Sequence, residues 1–265
     1  MRSAAQSSEL GIMPGISSYK GDISSSLFAT EFFHIAGGVH FKRCINNRWA
    51  YRLGINLGSI SGEDADTDEP FNQFRNLNFK SNILELHFIY EFNFFEYQIA
   101  NPESDWTPFV MAGLALFRFN PKGQLGDTWY DLQPLGTEGQ STSLYPQRKK
   151  YKRIQPSVPF GGGFKIRLNE RFGIQIEAGA RRTYTDYLDD ISTTYPNKAV
   201  LLAENGSLAV QLSDKTIDRL TDNNNDRQRG DASHADWYMF AGVHLNFTLS
   251  RKYSDHCRPF KRKLH

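Results

Sequence analysis

The sequence predicts an all-β chain, an eight-stranded antiparallel up-and-down transmembrane β-barrel with long outer loops and short periplasmic turns. Three observations carry this expectation. In the stretch from Ser81 to Phe94, the even positions are Leu84, Leu86, Phe88, Tyr90, Phe92 and Phe94, while the odd ones include Glu85, His87, Glu91 and Asn93. Successive strand side chains point to opposite faces, so this is a strand with one unbroken apolar side, long enough to cross a thin hydrocarbon layer. The same alternation recurs in other segments, and the connections between them run short and long by turns, as in outer-membrane barrels.

The first strand is expected over residues 9–19, with Leu10, Ile12, Pro14 and Ile16 opposite Glu9, Gly11, Met13 and Gly15; Pro14 makes it imperfect. The second, over 31–42, sets Phe33, Ile35, Val39 and Phe41 against His34, Gly38, His40 and Lys42, and a short turn over 43–48 carries Cys44. The third alternates Trp49, Tyr51, Leu53, Ile55 and Leu57 with Ala50, Arg52, Gly54, Asn56 and Gly58. An acidic loop leads to the fourth strand, described above, and a short connection over 98–105 to a fifth over 106–120, which is apolar on both sides, so its facing is not assigned.

A long loop is expected over 121–155. The sixth strand then sets Phe160, Phe164, Ile166 and Leu168 against Gly161, Gly163, Lys165 and Arg167, and the turn 169–171 returns it. The seventh sets Phe172, Ile174, Ile176, Ala178 and Ala180 against Gln175, Glu177, Gly179 and Arg181. The longest loop, about 186–235, holds a possible helix over 200–212, and the eighth strand, over 236–249, alternates Trp237, Met239, Val243, Leu245 and Phe247 with Gly242, His244, Asn246 and Thr248. Closure of the eight into a barrel removes the exposed edges of an open sheet.

Alternation alone does not say which face points inward, because a lipocalin-like calyx has the same period with its apolar side inside. The polar face decides it: it is rich in glycine and bears both charge signs, through Glu9, Arg52, Glu85, Glu91, Lys165, Arg167, Glu177 and Arg181, with His34, His40, His87 and His244. Small residues and paired charges suit the filled lumen of a narrow barrel, where ions must pair to offset desolvation. Trp49, Trp106 and Trp237, near strand ends, fit an interfacial girdle.

Composition restricts function. Hydrophobic residues are 39%, mean hydropathy is −0.53, and the longest apolar run, Val110 to Phe117, is too short for a spanning helix. That low hydropathy is compatible with a barrel, whose strands give a weak signal. The net charge of +2 argues for neither a nucleic-acid partner nor an acidic substrate, and two cysteines exclude a disulfide-dense scaffold. Residues 1–8 contain no apolar signal core and are expected to be an N-terminal segment whose signal peptide is absent or trimmed; the barrel occupies 9–249 and a basic periplasmic tail 250–265.

The four histidines, placed beside Glu85, Glu91 and Glu177, could form a metal or proton-transfer cluster; no ligand spacing singles out a set, so pairing within a solid interior is the reading adopted. No histidine falls on the lipid face, which counts against a lipid hydrolase, and no catalytic, cofactor or metal residues are assigned. Asp64 to Asp68 and Asp222 to Asp226 have alternating oxygen ligands but lack the glycine and closing glutamate of an EF-hand, and read as solvated loops. Arg229, Gly230 and Asp231 match an adhesion tripeptide on three residues only. Cys44 in its turn and Cys257 in the tail would share one oxidising compartment and form a possible disulfide, against two unrelated thiols. The tail cations Arg251, Lys252, Arg258, Lys261, Arg262 and Lys263 are either a solvated end or a contact for an acidic partner or lipid headgroups.

The loops carry a resemblance. Residues 126–140, from Gly126-Asp127-Thr128-Trp129 to Thr137-Glu138-Gly139-Gln140, residues 182–190, ending Tyr187-Leu188-Asp189-Asp190, and Leu202-Ala203-Glu204-Asn205-Gly206 resemble the PorG-like outer-membrane proteins of the type IX secretion system. Glu9-Leu10-Gly11, Tyr19-Lys20-Gly21-Asp22 and residues 237–242 look similar too, so the likeness runs from about Glu9 to Phe247. It implies a non-enzymatic outer-membrane barrel without cofactors, its termini in the periplasm, associating with a periplasmic ring of a PorK-like lipoprotein and a PorN-like protein. The alternative is a surface adhesion or ligand- or lipid-binding barrel. The turns near Cys44, at Ile99 to Asp105 and at Asn169 to Arg171, with the tail, are the expected ring contacts. The absent signal peptide and the basic extension after Phe247 depart from the family pattern, and the second makes the tail a candidate contact.

Overall fold

The computed structural model of this protein describes residues 7–101, 105–216 and 224–249. These residues contain ten strands: β1 Ser8–Lys20, β2 His34–Cys44, β3 Trp49–Glu63, β4 Asn78–Asn93, β5 Trp106–Arg118, β6 Lys122–Leu125, β7 Thr128–Asp131, β8 Ile154–Arg167, β9 Phe172–Thr183 and β10 Trp237–Thr248. Eight of them form an antiparallel ring in the order β3, β2, β1, β10, β9, β8, β5, β4, and β3 pairs with β4 along its whole length, from Trp49 opposite Phe92 to Glu63 opposite Asn78. The barrel is therefore closed. Short turns and the N-terminal strand start lie at one end, the turn end, and four long connections at the other, the loop end.

β6 and β7 are additional to the expected strands. They form a hairpin within the segment read from the sequence as plain loop, turning at Gly126, whose φ of +59° suits glycine. Lys122 also pairs with Lys80, which stacks the hairpin on the outer end of β4. Four-residue strands are too short for a period of two to stand out. Helices α1 Pro70–Arg75, α2 Leu132–Leu135, α3 Lys198–Asn205 and α4 Ser207–Ser213 fill the other loops.

Alternation along each barrel strand sorts the side chains cleanly. Outside, Ile35 is 90% exposed, Leu114 68%, Leu57 58% and Val39 57%, in a continuous band with Leu53, Leu86 and Phe88. Water does not tolerate apolar area of that extent on a monomer, whereas hydrocarbon does. β5, unassigned from the sequence, turns Thr107, Phe109, Met111, Ala115 and Phe117 inward and Trp106, Val110, Leu114 and Leu116 outward. At the turn end the outer face is aromatic, with Trp49 against Phe92 at 4.8 Å, Phe95 against Trp106 at 5.2 Å and Phe172 against Phe247 at 5.3 Å between ring centroids.

Prolines mark the imperfections in the ladder. The β1–β10 register breaks between Ile12 and Gly15, at Pro14, and the β5–β8 register between Ser157 and Phe160, at Pro159. Proline has no N–H to give. At Gly163, by contrast, a Cβ would come within 1.8 Å of the Ile176 carbonyl oxygen, so only glycine permits this approach of β8 to β9.

The interior has two zones. Toward the loop end it is apolar, with Met13, Tyr19, Ile60, Phe79, Ile83, Phe117, Phe119, Tyr238 and Phe240 in one cluster. Toward the turn end it is charged. The β4–β5 connection closes the turn end from below: Tyr97, Ile99 and Ala100 are buried, and Ile99 packs beside Gly173. Ile99, expected as a surface for a partner, is thus part of a plug.

Leu114 pairs with Phe88 near the middle of the outer band. Leu114→Arg should lower the unfolding free energy in lipid vesicles by roughly 2–4 kcal/mol, measured by urea titration of refolded protein, as for a cation at a bilayer midplane. A neutral effect there would mean that this face does not meet hydrocarbon.

Candidate functional site

Among the described residues, the lumen places four carboxylates, Glu9, Glu85, Glu91 and Glu177, with four cations, Lys42, Arg52, Lys165 and Arg181, all buried. Each comes from the inward parity of a strand, which is why one sheet can gather charges from distant positions. Arg52 Nη1 and Nη2 both donate to Glu177 at 2.8 Å, and its Nε lies 3.4 Å from Glu91. Glu91 also receives Lys165 at 2.7 Å and Lys42 at 3.2 Å. Arg181 Nε donates to Glu85 at 2.9 Å, and Tyr238 and Asn56 donate to the same carboxylate at 2.9 Å. Glu9 is the loosest member, 3.9 Å from Lys42.

Three of the expected histidines join this network: His87 stands 3.2 Å from Glu85, His244 3.6 Å from Glu177, and His40 is 2.8 Å from the Asn246 side chain. Two expected members do not. His34 sits at the loop end of β2, its Nε2 2.7 Å from Ser61 Oγ, and Arg167 is at the turn-end rim, 3.5 Å from Asp105. Parity gives a residue's face but not its height, so positions near strand ends leave the network. Lys42 and Gln175 were overlooked; Gln175 donates to Glu177 at 2.6 Å and receives Lys42 at 2.5 Å. Both share the parity of residues that were assigned.

Cys44, expected in a turn, is the last residue of β2, buried, with Sγ donating to Glu9 at 3.7 Å. Cys257 lies outside the described residues, as do the tail cations. Among the described residues no group of three or more His, Cys, Asp or Glu side chains is arranged to hold a metal ion. Asp64, the first acid of one calcium-like run, accepts two bonds from Arg75, at 2.8 and 2.7 Å, and one from the Leu77 amide. Asp222 and Asn223 of the other run lie outside the described residues.

The loop end is a locked cap. Arg75 donates to the Arg229 carbonyl at 2.6 Å, and Arg229 donates to Glu138 Oε1 at 2.9 Å and to the Asp190 carbonyl at 2.6 Å. Glu138 also accepts the amides of Ser192 and Thr193. Asp190 receives the hydroxyls of Thr137 and Tyr151, Asp189 that of Tyr19, and Asn205 donates to the Leu135 carbonyl at 2.8 Å. The loop motifs noted in the sequence therefore meet as one structural core. Arg229, the first residue of the adhesion-like tripeptide, is 1% exposed and is not presented to a partner.

Charge is not balanced in the cap. Among the described residues, Asp64, Glu138, Asp189, Asp190 and Asp236 are buried with Arg75 and Arg229 as the buried cations; the half-buried Asp22 and Asp186 lie close by, as does the half-buried Arg148, which donates to the Glu138 carbonyl at 2.7 Å. Asp22 Oδ2, Asp186 Oδ2 and Asp236 Oδ1 have no hydrogen-bond partner among the described residues. Burial pushes the Asp186 carboxyl up to about 8 and Asp190 up to about 7. It raises Asp22, Asp189 and Asp236 as well, and the like charges around Asp22 and Asp236 reinforce the rise there.

With this geometry in view, the comparisons with known proteins are informative at one level. A model of the family described as a domain of unknown function, DUF6089, matches residues 1–134. The chain belongs to this family. The matched residues supply five of the eight lumen charges, Glu9, Lys42, Arg52, Glu85 and Glu91, and the plug residue Tyr97, whereas Lys165, Glu177 and Arg181 follow them.

 A search of curated proteins finds no match. Among solved structures, the chain is similar to Ail, the attachment invasion locus protein of Yersinia pestis (TM-score 0.41, 8% identity, 91% of this chain and 97% of that one). It is also similar to the outer membrane protein OprG from Pseudomonas aeruginosa (0.40, 8%, 92% and 98%) and to Neisserial surface protein A (0.40, 7%, 91% and 96%).

Two outcomes are expected of this DUF6089 chain. Glu91→Gln leaves Lys42 and Lys165 short of a buried counter-charge and should cost about 3–5 kcal/mol of barrel stability, read from the urea midpoint in detergent. The cap should tighten in acid. A carboxyl whose pKa is raised by folding takes up protons as the cap forms, so its stabilisation is complete below the ordinary carboxylate range and is lost as pH climbs through about 7 to 8. Amide hydrogen exchange in the loops should therefore be slower at pH 5 than at pH 8 after correction for intrinsic rates, and Asp186→Asn with Asp190→Asn should flatten the difference.

Proposed function

We propose that this protein is a non-enzymatic outer-membrane component of the type IX secretion system, associating through its turn end with a periplasmic ring of PorK-like and PorN-like proteins. The observation that carries the reading is that the loop motifs resembling PorG-like proteins converge, through Glu138, Asp190, Arg229 and Asn205, on one buried cap core. A shared set of motifs that builds a core speaks for a shared fold rather than for scattered coincidence. A lumen filled by paired charges and a cap tied across its loops support a scaffold over a transporter. The apolar band and aromatic girdle support residence in the outer membrane, with the chain termini and turns in the periplasm.

On this reading the ring meets the exposed parts of the turn end: Ile45 to Arg48, Phe94 to Glu96 and Asn169 to Arg171, with the tail cations Arg251, Lys252, Arg258, Lys261, Arg262 and Lys263 as further contacts. A second reading, an adhesion or ligand-binding barrel, is favoured by the exposed loop-end aromatics Phe28, 71% exposed, and Phe71, 49%.

Affinity capture of the full chain from gently solubilised membranes, with partners identified by mass spectrometry, separates the two. The scaffold reading expects periplasmic ring proteins with the intact chain, undiminished by Phe28→Ser with Phe71→Ser and reduced by removal of residues 250–265 or by charge reversal at Arg48 and Arg171. Recovery of no periplasmic ring protein from intact chain, under conditions that keep the ring assembled, contradicts it.

A further inference from the structure

The outer wall of the barrel is not uniform around its loop end. On the outward parity of the barrel strands, cations stand there at Lys20, Lys80, Arg118 and Arg182. Two of these, with Lys122 of the β6–β7 hairpin, border a groove of about 1070 Å³ that runs down β2 to β5. Its lower wall is apolar and open: Ile35 is 90% exposed, Leu57 58% and Leu84 44%. Arg118 pairs across the ladder with Leu84, so a guanidinium stands at the upper edge of the apolar wall.

The cations differ in how they are held. Lys80 Nζ lies 3.9 Å over the Trp129 ring, which fixes it at the outer lip. Lys122 shares Asp131 at 3.3 Å, with both side chains about two-fifths exposed. Arg118 is exposed and makes no hydrogen bond or ion pair among the described residues. Asn82 and Asn120 line the groove between them, and Arg153 backs Asn120 with a 3.0 Å bond to its Oδ1. The acids nearby are Asp131 and, at the outermost end of β3, Glu63. The upper groove is therefore cationic and the lower groove apolar, on the face that meets lipid.

We propose that this groove binds a phosphorylated lipid of the surrounding leaflet, its phosphate held by Arg118, Lys80 and Lys122 and an acyl chain laid along Ile35, Leu57 and Leu84. Charge complementarity selects the anionic head: a guanidinium can take two phosphate oxygens at once, and ammonium groups add point charge beside it. The apolar wall selects a lipid over a soluble phosphate, because the chain covers surface that nothing else in the described residues covers. The site needs the barrel to sit in a membrane but is independent of any secretion partner.

The test uses the full chain refolded in nonionic detergent and titrated with bis-phosphorylated lipid A, with bound lipid counted by native mass spectrometry. One lipid A should be retained by the wild-type chain. The combined Lys80→Gln, Arg118→Gln, Lys122→Gln variant should bind it roughly tenfold more weakly or worse. Lys20→Gln with Arg182→Gln, on β1 and β9 outside the groove lining, should bind as wild type. Phosphatase-treated lipid A should bind as weakly to wild type as lipid A does to the triple variant, and millimolar inorganic phosphate should not displace the lipid. The heat-dependent gel shift of a folded barrel, unchanged in each variant, keeps a loss of binding from being a loss of fold. Equal binding by the triple variant, equal binding of the dephosphorylated lipid, or displacement by inorganic phosphate would each overturn the proposal.

Discussion

Ionic balance in a closed, narrow interior is the constraint on which the rest of the structure depends. A barrel of eight strands leaves room inside for side chains and little else, and charges taken out of water are tolerated only when partners surround them. Arg52 sits at the junction, reaching Glu177 with one edge and Glu91 with another, while Lys42 and Lys165 complete Glu91. Strands from opposite sides of the sheet are thus tied through the lumen as well as around the wall. Removing one member leaves an unpaired buried charge, so the network specifies the register of every strand that feeds it.

The cap obeys a different rule. Among the described residues its buried arginines, Arg75 and Arg229, are fewer than its buried carboxylates, and neutral hydroxyls of Tyr19, Tyr151 and Thr137 complete the bonding. Balance there is reached by holding protons rather than by pairing ions, which makes the cap responsive to acidity. The two zones are separated by the aromatic layer around Phe117, Tyr238 and Phe240, whose rings lie 5.0 and 5.9 Å apart in successive pairs.

Much of the barrel was legible in the sequence because a strand's two faces are written at a period of two. β3 and β4 were read with their faces correct, and the inward charges from Arg52 to Glu91 followed. Height along the strand was not legible, which is why His34 and Arg167 were grouped with residues they do not touch. Cys44 and Ile99 were read as surface for a related reason: a turn's length shows in sequence, but its folding back into the barrel mouth depends on space left by Gly173 and its neighbours. The cap core was recognisable only as motifs, since Glu138, Asp190 and Arg229 come from loops far apart and meet through tertiary contacts. The facing of β5 needed the closed ring, because both of its sides are apolar.

The central claim is that the lumen is filled by its ion-paired network and closed by cap and plug. Electrical recording of the refolded protein in a planar lipid bilayer tests it most directly. The account predicts insertion, confirmed by the heat-dependent gel shift of the recovered protein, without steady conductance above that of the bare bilayer. A stable, reproducible ionic conductance from the intact chain would contradict it, because ions cannot cross a lumen whose charges are already paired and whose ends are closed.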